Sequence, residues 1–515
     1  MDGNFDLKKI EEVKESLAEI ESKLKDKEFE KCQQRTAIKK SFCEKKIIGK
    51  MKLLMGILLE KMGRIPYYSV DEFRADMEIR QEAQMLRNKL ALLECRQKKF
   101  MEISKVFMKD LDGLKKEKDI NLESLKNGYI AVVVNSLDRG GLEQVVYFLV
   151  QELVKRNISV KVLCLDSGGM IAEKLVKKGI EVQVFDGKGR SFKSFIKKNP
   201  PILVNTHYVK RYIKFLYRRN IPIVEVIHNM YVFYCKHVIN IERQNEKYYT
   251  KMIAVSEVVK ETYCSRIANT DKITVIGNAA QLREQPKKNR DEARDLLKIP
   301  KQAYVILNVG SIDPRKNQLG MVAAFDIISQ IREETIYLVL AGNIQDRAYN
   351  ERLKNAIDAC KRKENIILLP YYERIRELYQ MADVFLIDSY YEGWSIAATE
   401  ALYEGLPIVH SMCGSALELT AKGRYGIVVK NPAGDLKDLS NSEIDHIISR
   451  GEYYNTEEVV EGLLKIIDNK EYWNQCRLDI ISETRKKFSE EKMVNEYLET
   501  FVLVNENVGD KYGKR

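Results

Sequence analysis

The apolar positions of the chain fall into two textures that meet near residue 127. Up to about residue 126 they recur at helical spacing, and only Pro66 interrupts them. Ile10, Val13, Leu17, Ile20 and Leu24 alternate spacings of three and four, with Lys and Glu between them, which is the seam of a coiled coil. A denser apolar stretch follows at 47–59, the pattern breaks at Gly63 and Pro66, and Ser69-Val70-Asp71-Glu72 reads as the capping box of a second helix over 70–111. A helical hairpin or coiled coil is therefore expected over residues 1–127.

From Tyr129 onward, short apolar runs of strand length alternate with helical stretches, the signature of parallel sheets covered by helices. Strands are expected at 129–135, 160–165, 202–205, 223–227 and 251–255. A polar stretch at 285–290 precedes a second series at 305–309, 336–341, 366–369 and 383–387, and residues 457–504 read as mainly helical. The division drawn is 1–127 (extension), 128–285 and 286–480 (two α/β domains) and 481–515 (a helix crossing back, with a tail).

Length and composition add bounds. A chain of 515 residues suggests three units, and 45% hydrophobic with 31% charged residues fits a globular protein. No apolar run reaches the length of a membrane span, and the N-terminus carries no basic-then-apolar leader, so a cytoplasmic protein is expected. Nine scattered cysteines without close pairing read as buried thiols. A net charge of +11 fits nucleic acid, an anionic membrane or phosphorylated ligands alike. No nucleic-acid-binding motif accompanies it, so nucleic acid is not an expected partner.

The candidate chemistry centres on Glu392 and Glu400, eight residues apart across an expected strand-to-helix turn, with Gly393, Trp394 and Ser395 between them. Taken alone, two glutamates at this spacing read better as two solvated side chains, one on a loop and one on a helix. The segment continues as Ala401-Leu402-Tyr403-Glu404-Gly405-Leu406-Pro407-Ile408-Val409. It resembles the E-x7-E signature of retaining GT-B glycosyltransferases of family 4, and further motifs share the resemblance. Gly140-Gly141-Leu142-Glu143 resembles the family's G-G-x-E loop, His228 its cleft histidine, His207 a second histidine position, and residues 310–317 its phosphate loop.

The resemblance spans about residues 129–504 and implies a GT-B fold, two facing Rossmann-like domains. It places Glu392 and His228 against the donor sugar, Glu400 on the ribose hydroxyls, Lys316 on the donor phosphates, and Gly140 and Gly141 toward phosphates and acceptor. The phosphate loop departs from the pattern, with Ser311 where an arginine is usual and Asn317 where a glycine is; Arg315 is near enough in sequence to substitute. The implied activity is retaining transfer of a hexosyl or acetylhexosaminyl group from a nucleotide sugar, UDP-linked by expectation, to a glycan or lipid-linked acceptor in polysaccharide biosynthesis. No metal or other cofactor is expected, and Asp110 and Asp112 read as a solvated face. Two alternatives stay open: a nucleotide-sugar epimerase of the same fold, and a coiled-coil scaffold with a degenerate transferase body. The extension is expected to be covered by another protein surface or a second copy; the second reading is peripheral contact with the inner face of the membrane, through the apolar stretch 47–59 with Lys45, Lys46, Lys50 and Lys52 on anionic lipid.

Overall fold

The computed structural model describes residues 120–138, 140–280, 288–370, 372 and 374–512. The hairpin expected over 1–127 lies outside them up to residue 119, as do Asp110 and Asp112.

The first series is β1 (Tyr129–Val134), α1 (Gly141–Lys155), β2 (Ser159–Cys164), α2 (Met170–Lys177), β3 (Glu181–Val184), α3 (Gly189–Lys198), β4 (Leu203–His207), α4 (Ile213–Tyr217), β5 (Ile223–Ile227), α5 (Lys236–Asn245), β6 (Lys251–Ala254), α6 (Glu257–Arg266) and β7 (Ile273–Val275). Its seven strands are all parallel, in the order β3-β2-β1-β4-β5-β6-β7. Every residue of β1, β4 and β5 is buried, because helices cover both faces of a parallel sheet. That double burial is why these runs are continuously apolar.

The second series is α7 (Arg290–Leu296), β8 (Tyr304–Val309), α8 (Gln318–Ile331), β9 (Ile336–Ala341), α9 (Arg347–Ala359), β10 (Ile366–Leu369), α10 (Ile375–Met381), β11 (Val384–Ile387), α11 (Ile396–Tyr403), β12 (Ile408–Ser411), α12 (Ala416–Thr420) and β13 (Gly426–Val429). It forms a six-stranded parallel sheet ordered β10-β9-β8-β11-β12-β13. Helices α13 (Asn441–Arg450), α14 (Thr456–Ile467), α15 (Lys470–Lys487) and α16 (Glu490–Tyr512) follow. Each sheet is thus a Rossmann-like layer with a switch point, between β1 and β4 and between β8 and β11, where crossovers change direction and leave a crevice at the strands' carboxyl ends.

Helix α15 packs on α11 of the second series, whereas α16 packs on α1 of the first. The Asn505 amide donates to Ser124 O at 2.8 Å and the Arg156 guanidinium donates to Asn495 Oδ1 at 3.0 Å. The chain therefore crosses back at residues 488–489.

Between β4, β5 and α5 the first domain buries a charged cluster. Lys210 Nζ lies 3.0 Å from Glu225 Oε1, 2.7 Å from Glu242 Oε2 and 2.8 Å from the Tyr231 hydroxyl. Tyr249 and Tyr263 donate to Glu242, and Thr206 donates to Glu225. Burial raises the Glu225 carboxyl well above its ordinary range, with Lys210 working against the rise. Burial pulls the Lys210 ammonium down, and Glu225, Tyr231 and Glu242 more than offset that pull. Two carboxylates thus depend on one cation. Lys210→Met should cost about 3–5 kcal/mol by leaving both uncompensated, while Glu225→Gln, which removes one negative charge, should cost far less. Chemical denaturation measures both, and equal losses would show that the cation is not what holds the cluster.

Candidate active site

The carboxyl ends of the two sheets close on one another. The loop after β5 meets the loop after β11 so tightly that a Cβ on Gly393 would lie 1.7 Å from the His228 carbonyl oxygen. Only a residue without a side chain fits there. Gly414 N–H donates to Met230 Sδ at 3.3 Å, and the Phe233 and Tyr391 rings stack across the junction with centroids 4.0 Å apart. Gly141, at the start of α1, stands opposite Ile396, at the start of α11; a Cβ there would lie 3.5 Å from the isoleucine side chain.

Lys316 and Glu392 meet in this junction as an ion pair, Nζ on Oε1, and both side chains are largely buried. The same carboxylate oxygen accepts from Ser389 Oγ at 3.0 Å. Lys316 ends a single 3-10 turn, Pro314–Lys316, capped at its start by Asp313. Glu392 sits on the loop between β11 and α11, and Ser395 is the N-cap of α11, its Oγ accepting from Ala398 N at 3.3 Å. Glu400 lies inside α11, 7% exposed, and the Tyr379 hydroxyl donates to its Oε2 at 2.9 Å. Trp394 donates its indole N–H to Thr399 Oγ1 at 2.9 Å, and its ring fills the space a Cβ on Gly277 would need. Trp394 and Ser395 thus shape the loop that presents Glu392.

The two departures from the family's phosphate loop have partners. Ser311 Oγ donates to Asp313, whose carboxylate also holds Arg315 through Nε at 2.8 Å and Nη2 at 2.9 Å. Burial tends to raise the Asp313 carboxyl, but Arg315 and Ser311 outweigh it and hold it below the usual range. The Arg315 guanidinium remains half exposed beside Tyr391 and Glu392. Asn317 adopts φ 52°, ψ 43°, the left-handed region in which glycine is favoured and asparagine is the best-tolerated alternative.

The histidines come together. Asn205 Nδ2 donates to Val224 O at 3.1 Å, which turns its Oδ1 toward His207 Nε2 at 2.8 Å. His207 Nδ1 then accepts from His228 Nε2 at 2.7 Å, and the rings stack at 4.9 Å. The network assigns the tautomers: His228 spends its N–H on His207 and keeps Nδ1 as an acceptor. Burial lowers His207 to about 3, and burial together with His207 and Lys210 lowers His228 well below its ordinary value, so both rings are neutral at pH 7. His207 is the last residue of β4 rather than a residue after it.

Gly140, the N-cap of α1, leaves room for the Glu143 carboxylate, which a Cβ would meet at 2.3 Å. Among the described residues no group of three or more His, Cys, Asp or Glu is arranged to hold a metal ion. The groups suited to an anion are Lys316, Arg315 and the N-terminus of α11.

Sequence reading missed Asp388, Asp313, Ser389 and His410. Asp388 is wholly buried and accepts from Asn317 Nδ2 and Asn455 Nδ2, each at 2.7 Å. Burial raises its carboxyl to about 8 against the pull of those amides. His410, buried on β12, donates Nδ1–H to Ser411 O at 2.7 Å, and its Nε2 has no hydrogen-bond partner. An aspartate ending an apolar strand run was the available signal for Asp388; nothing in the sequence singled out His410.

Comparison with known proteins agrees with this geometry. Residues 139–284 match the model of Glycosyltransferase Family 4, and residues 289–458 that of Glycosyl transferases group 1. An uncharacterized glycosyltransferase of Methanocaldococcus jannaschii is 26% identical over 295 residues, 54% of this chain and 72% of that protein. The capsular polysaccharide biosynthesis glycosyltransferase CapM of Staphylococcus aureus is 24% identical over 210 residues, 39% of this chain and 52% of CapM. The crystal structure of a glycosyltransferase from Rickettsia africae shares the fold with a TM-score of 0.61 at 17% identity, covering 73% of this chain and 99% of that one. So does Anabaena HepE, solved with UDP and glucose, with a TM-score of 0.58 at 16% identity over the same shares. With two α/β sheets closed carboxyl end to carboxyl end and both family models matched in order, the chain belongs to the GT-B glycosyltransferases of the family 4, group 1 type.

Proposed function

We propose that the chain transfers a sugar from a UDP-linked donor to a lipid-linked or glycan acceptor, with retention of configuration. The observation that carries this reading is the Lys316–Glu392 pair in the junction of the two sheets. A donor diphosphate entering there exchanges one anion for another at Lys316, and Arg315 stands beside it half exposed. The bond from the anomeric carbon to the diphosphate oxygen breaks, and the acceptor oxygen bonds to that carbon on the same face. The acceptor proton passes to the departing phosphate oxygen. Lys316 stabilises the charge gained by the diphosphate, which is greatest as the bond breaks. Glu392 and the Nδ1 acceptor of His228 orient sugar hydroxyls, and Glu400 accepts from the ribose. UDP as the nucleotide is supported by the HepE structures solved with UDP and UDP-glucose. It is supported too by an Escherichia coli relative, 26% identical over 159 residues, described as a UDP-Gal:alpha-D-GlcNAc-diphosphoundecaprenol alpha-1,3-galactosyltransferase. The degenerate-scaffold reading rested on Ser311 and Asn317, and both have specific hydrogen-bond roles.

A lipid-linked acceptor, met at the cytoplasmic face of a membrane, is supported by charge. Residues 187–220 carry ten Lys and Arg and no Asp or Glu. On α3 and α4 and at the C-cap of α4, Arg190, Lys193, Lys197, Lys214 and Arg218 are exposed, with Tyr217 52% exposed among them. Lys193 Nζ bridges the two helices, 5.5 Å from the Tyr212 ring and 5.8 Å from that of Phe215. Cations interleaved with rings suit an anionic bilayer surface. No helix among the described residues is long and apolar enough to cross a membrane.

Three measurements test this reading. Glu400→Ala should weaken UDP binding by roughly 10-fold, since a charged hydrogen bond is worth about 1.5–3 kcal/mol; an unchanged dissociation constant in a folded variant removes Glu400 from the site. Lys316→Ala should lower turnover on the order of 10²-fold with the fold intact, and Arg315→Ala should also be slow if Arg315 supplies the missing arginine. Wild-type turnover by Lys316→Ala would refute the charge-stabilising role. Full-length protein should float with vesicles containing phosphatidylglycerol but not with phosphatidylcholine alone. Reversing Lys193, Lys197, Lys214 and Arg218 to Glu should abolish flotation, whereas loss on reversing Lys45, Lys46, Lys50 and Lys52 instead would assign membrane contact to the extension.

A further inference from the structure

Asn317 is a joint. It closes the turn that ends in Lys316 and, in the same left-handed conformation, opens α8 as its N-cap, its Oδ1 accepting from Gly320 N at 3.2 Å. The direction of the chain on either side of Lys316 therefore depends on one residue holding a positive φ, which for a side-chain-bearing residue costs free energy. What holds it is Asp388, which takes the Asn317 amide on Oδ2 while Asn455 occupies Oδ1. The bond is built into the core: Asp388 has no exposure and Asn317 has 1%. Gly320 makes room for it, since a Cβ there would lie 2.4 Å from Asn317 Nδ2 and 2.8 Å from Asp388 Oδ2.

Asp388 also stands at the root of the other arm. It follows β11 directly, and its neighbour Ser389 donates to Glu392. Two residues on, Tyr390 N–H donates to the Arg315 carbonyl at 2.9 Å, and the Tyr390 hydroxyl donates to Glu452 O at 2.6 Å. The turn bearing Lys316 and the loop bearing Glu392 thus share one buried anchor point, far from any solvent that could replace its hydrogen bonds.

We propose that Asp388 is a positioning residue for transfer: through Asn317 and Ser389 it fixes the turn of Lys316 against the loop of Glu392, so that cation and carboxylate keep the spacing a nucleotide diphosphate-sugar requires. The inference rests on the transferase reading and adds to it a residue that touches neither substrate nor reacting atoms. It also gives a reason for asparagine where the family has glycine. Glycine takes the left-handed conformation freely; asparagine takes it when its amide is held, and Asp388 holds it.

The test is a mutant cycle on the full chain, read by kcat and KM for slow hydrolysis of a UDP-sugar, by UDP affinity and by melting temperature. Asp388→Ala should lower kcat about 10-fold or more, since misplacing a catalytic group by about 1 Å costs up to roughly 10²-fold, with a smaller but measurable loss of UDP affinity. Asn317→Ala should be at least as slow, because it loses both the bond and the residue's tolerance of positive φ. The double variant should be no slower than Asn317→Ala, the behaviour of groups acting as one unit. Asp388→Asn keeps one acceptor for the Asn317 amide while turning its own NH2 toward Asn455, and should be faster than Asp388→Ala though less stable than wild type. A lowered melting temperature with unchanged kcat in Asp388→Ala would overturn the proposal, as would rate losses that multiply in the double variant. If wild type binds UDP without hydrolysing donor, the same pattern is sought in UDP dissociation constants, and equal affinity in Asp388→Ala and wild type refutes the anchor. Wild type that neither binds UDP nor turns over any donor overturns the transferase reading itself.

Discussion

A lysine and a glutamate meeting in a junction shielded from water set the terms for the rest of this molecule. Away from solvent an unpaired charge is expensive, so Lys316 and Glu392 hold each other; under the proposed function a donor diphosphate takes the lysine. Everything nearby is arranged around keeping them in register. Gly393 lets the acid loop press on the His228 carbonyl, Ser389 fixes one carboxylate oxygen, and Asp388 ties the two loops to a common point. The neutral, tautomer-locked histidine pair adds hydrogen-bonding capacity without adding positive charge.

Each buried charge carries its own support. Lys210 answers two glutamates under the histidines, and Arg294, wholly buried, donates to the Met381 and Ala303 carbonyls and to Asp383. Both clusters use carbonyls and hydroxyls as well as carboxylates to spread the charge. The junction differs in that its pair keeps part of each side chain exposed.

Much of this was legible in the chain. Runs such as 129–135 and 305–309 announced buried parallel strands, and the structure ends them within a residue or two, at Val134 and Val309. Motif resemblance directed attention to Lys316 and Glu392 separately, but their pairing was not legible, since 76 residues separate them and no periodicity links them. The edge strand β3 and the short strands β7 and β13 escaped notice because they are short or alternate in burial, and so lack the dense apolar signature. Asp388 escaped for a different reason. A carboxylate ending an apolar run reads as a strand terminus going into solvent, and only the fold reveals that two asparagines, 71 and 67 residues away, close over it.

The return of α16 onto the first domain bears on how the molecule is made. Val494, Tyr497, Leu498 and Phe501 are buried, and α16 packs on α1 and on the turn Glu123–Leu125. During synthesis the seven strands of the first sheet leave the ribosome well before these side chains exist. The outer wall of the first α/β domain is therefore translated after the whole of the second. Until then the face of α1 that α16 covers lacks that helix, and completion of the first α/β domain waits on the second.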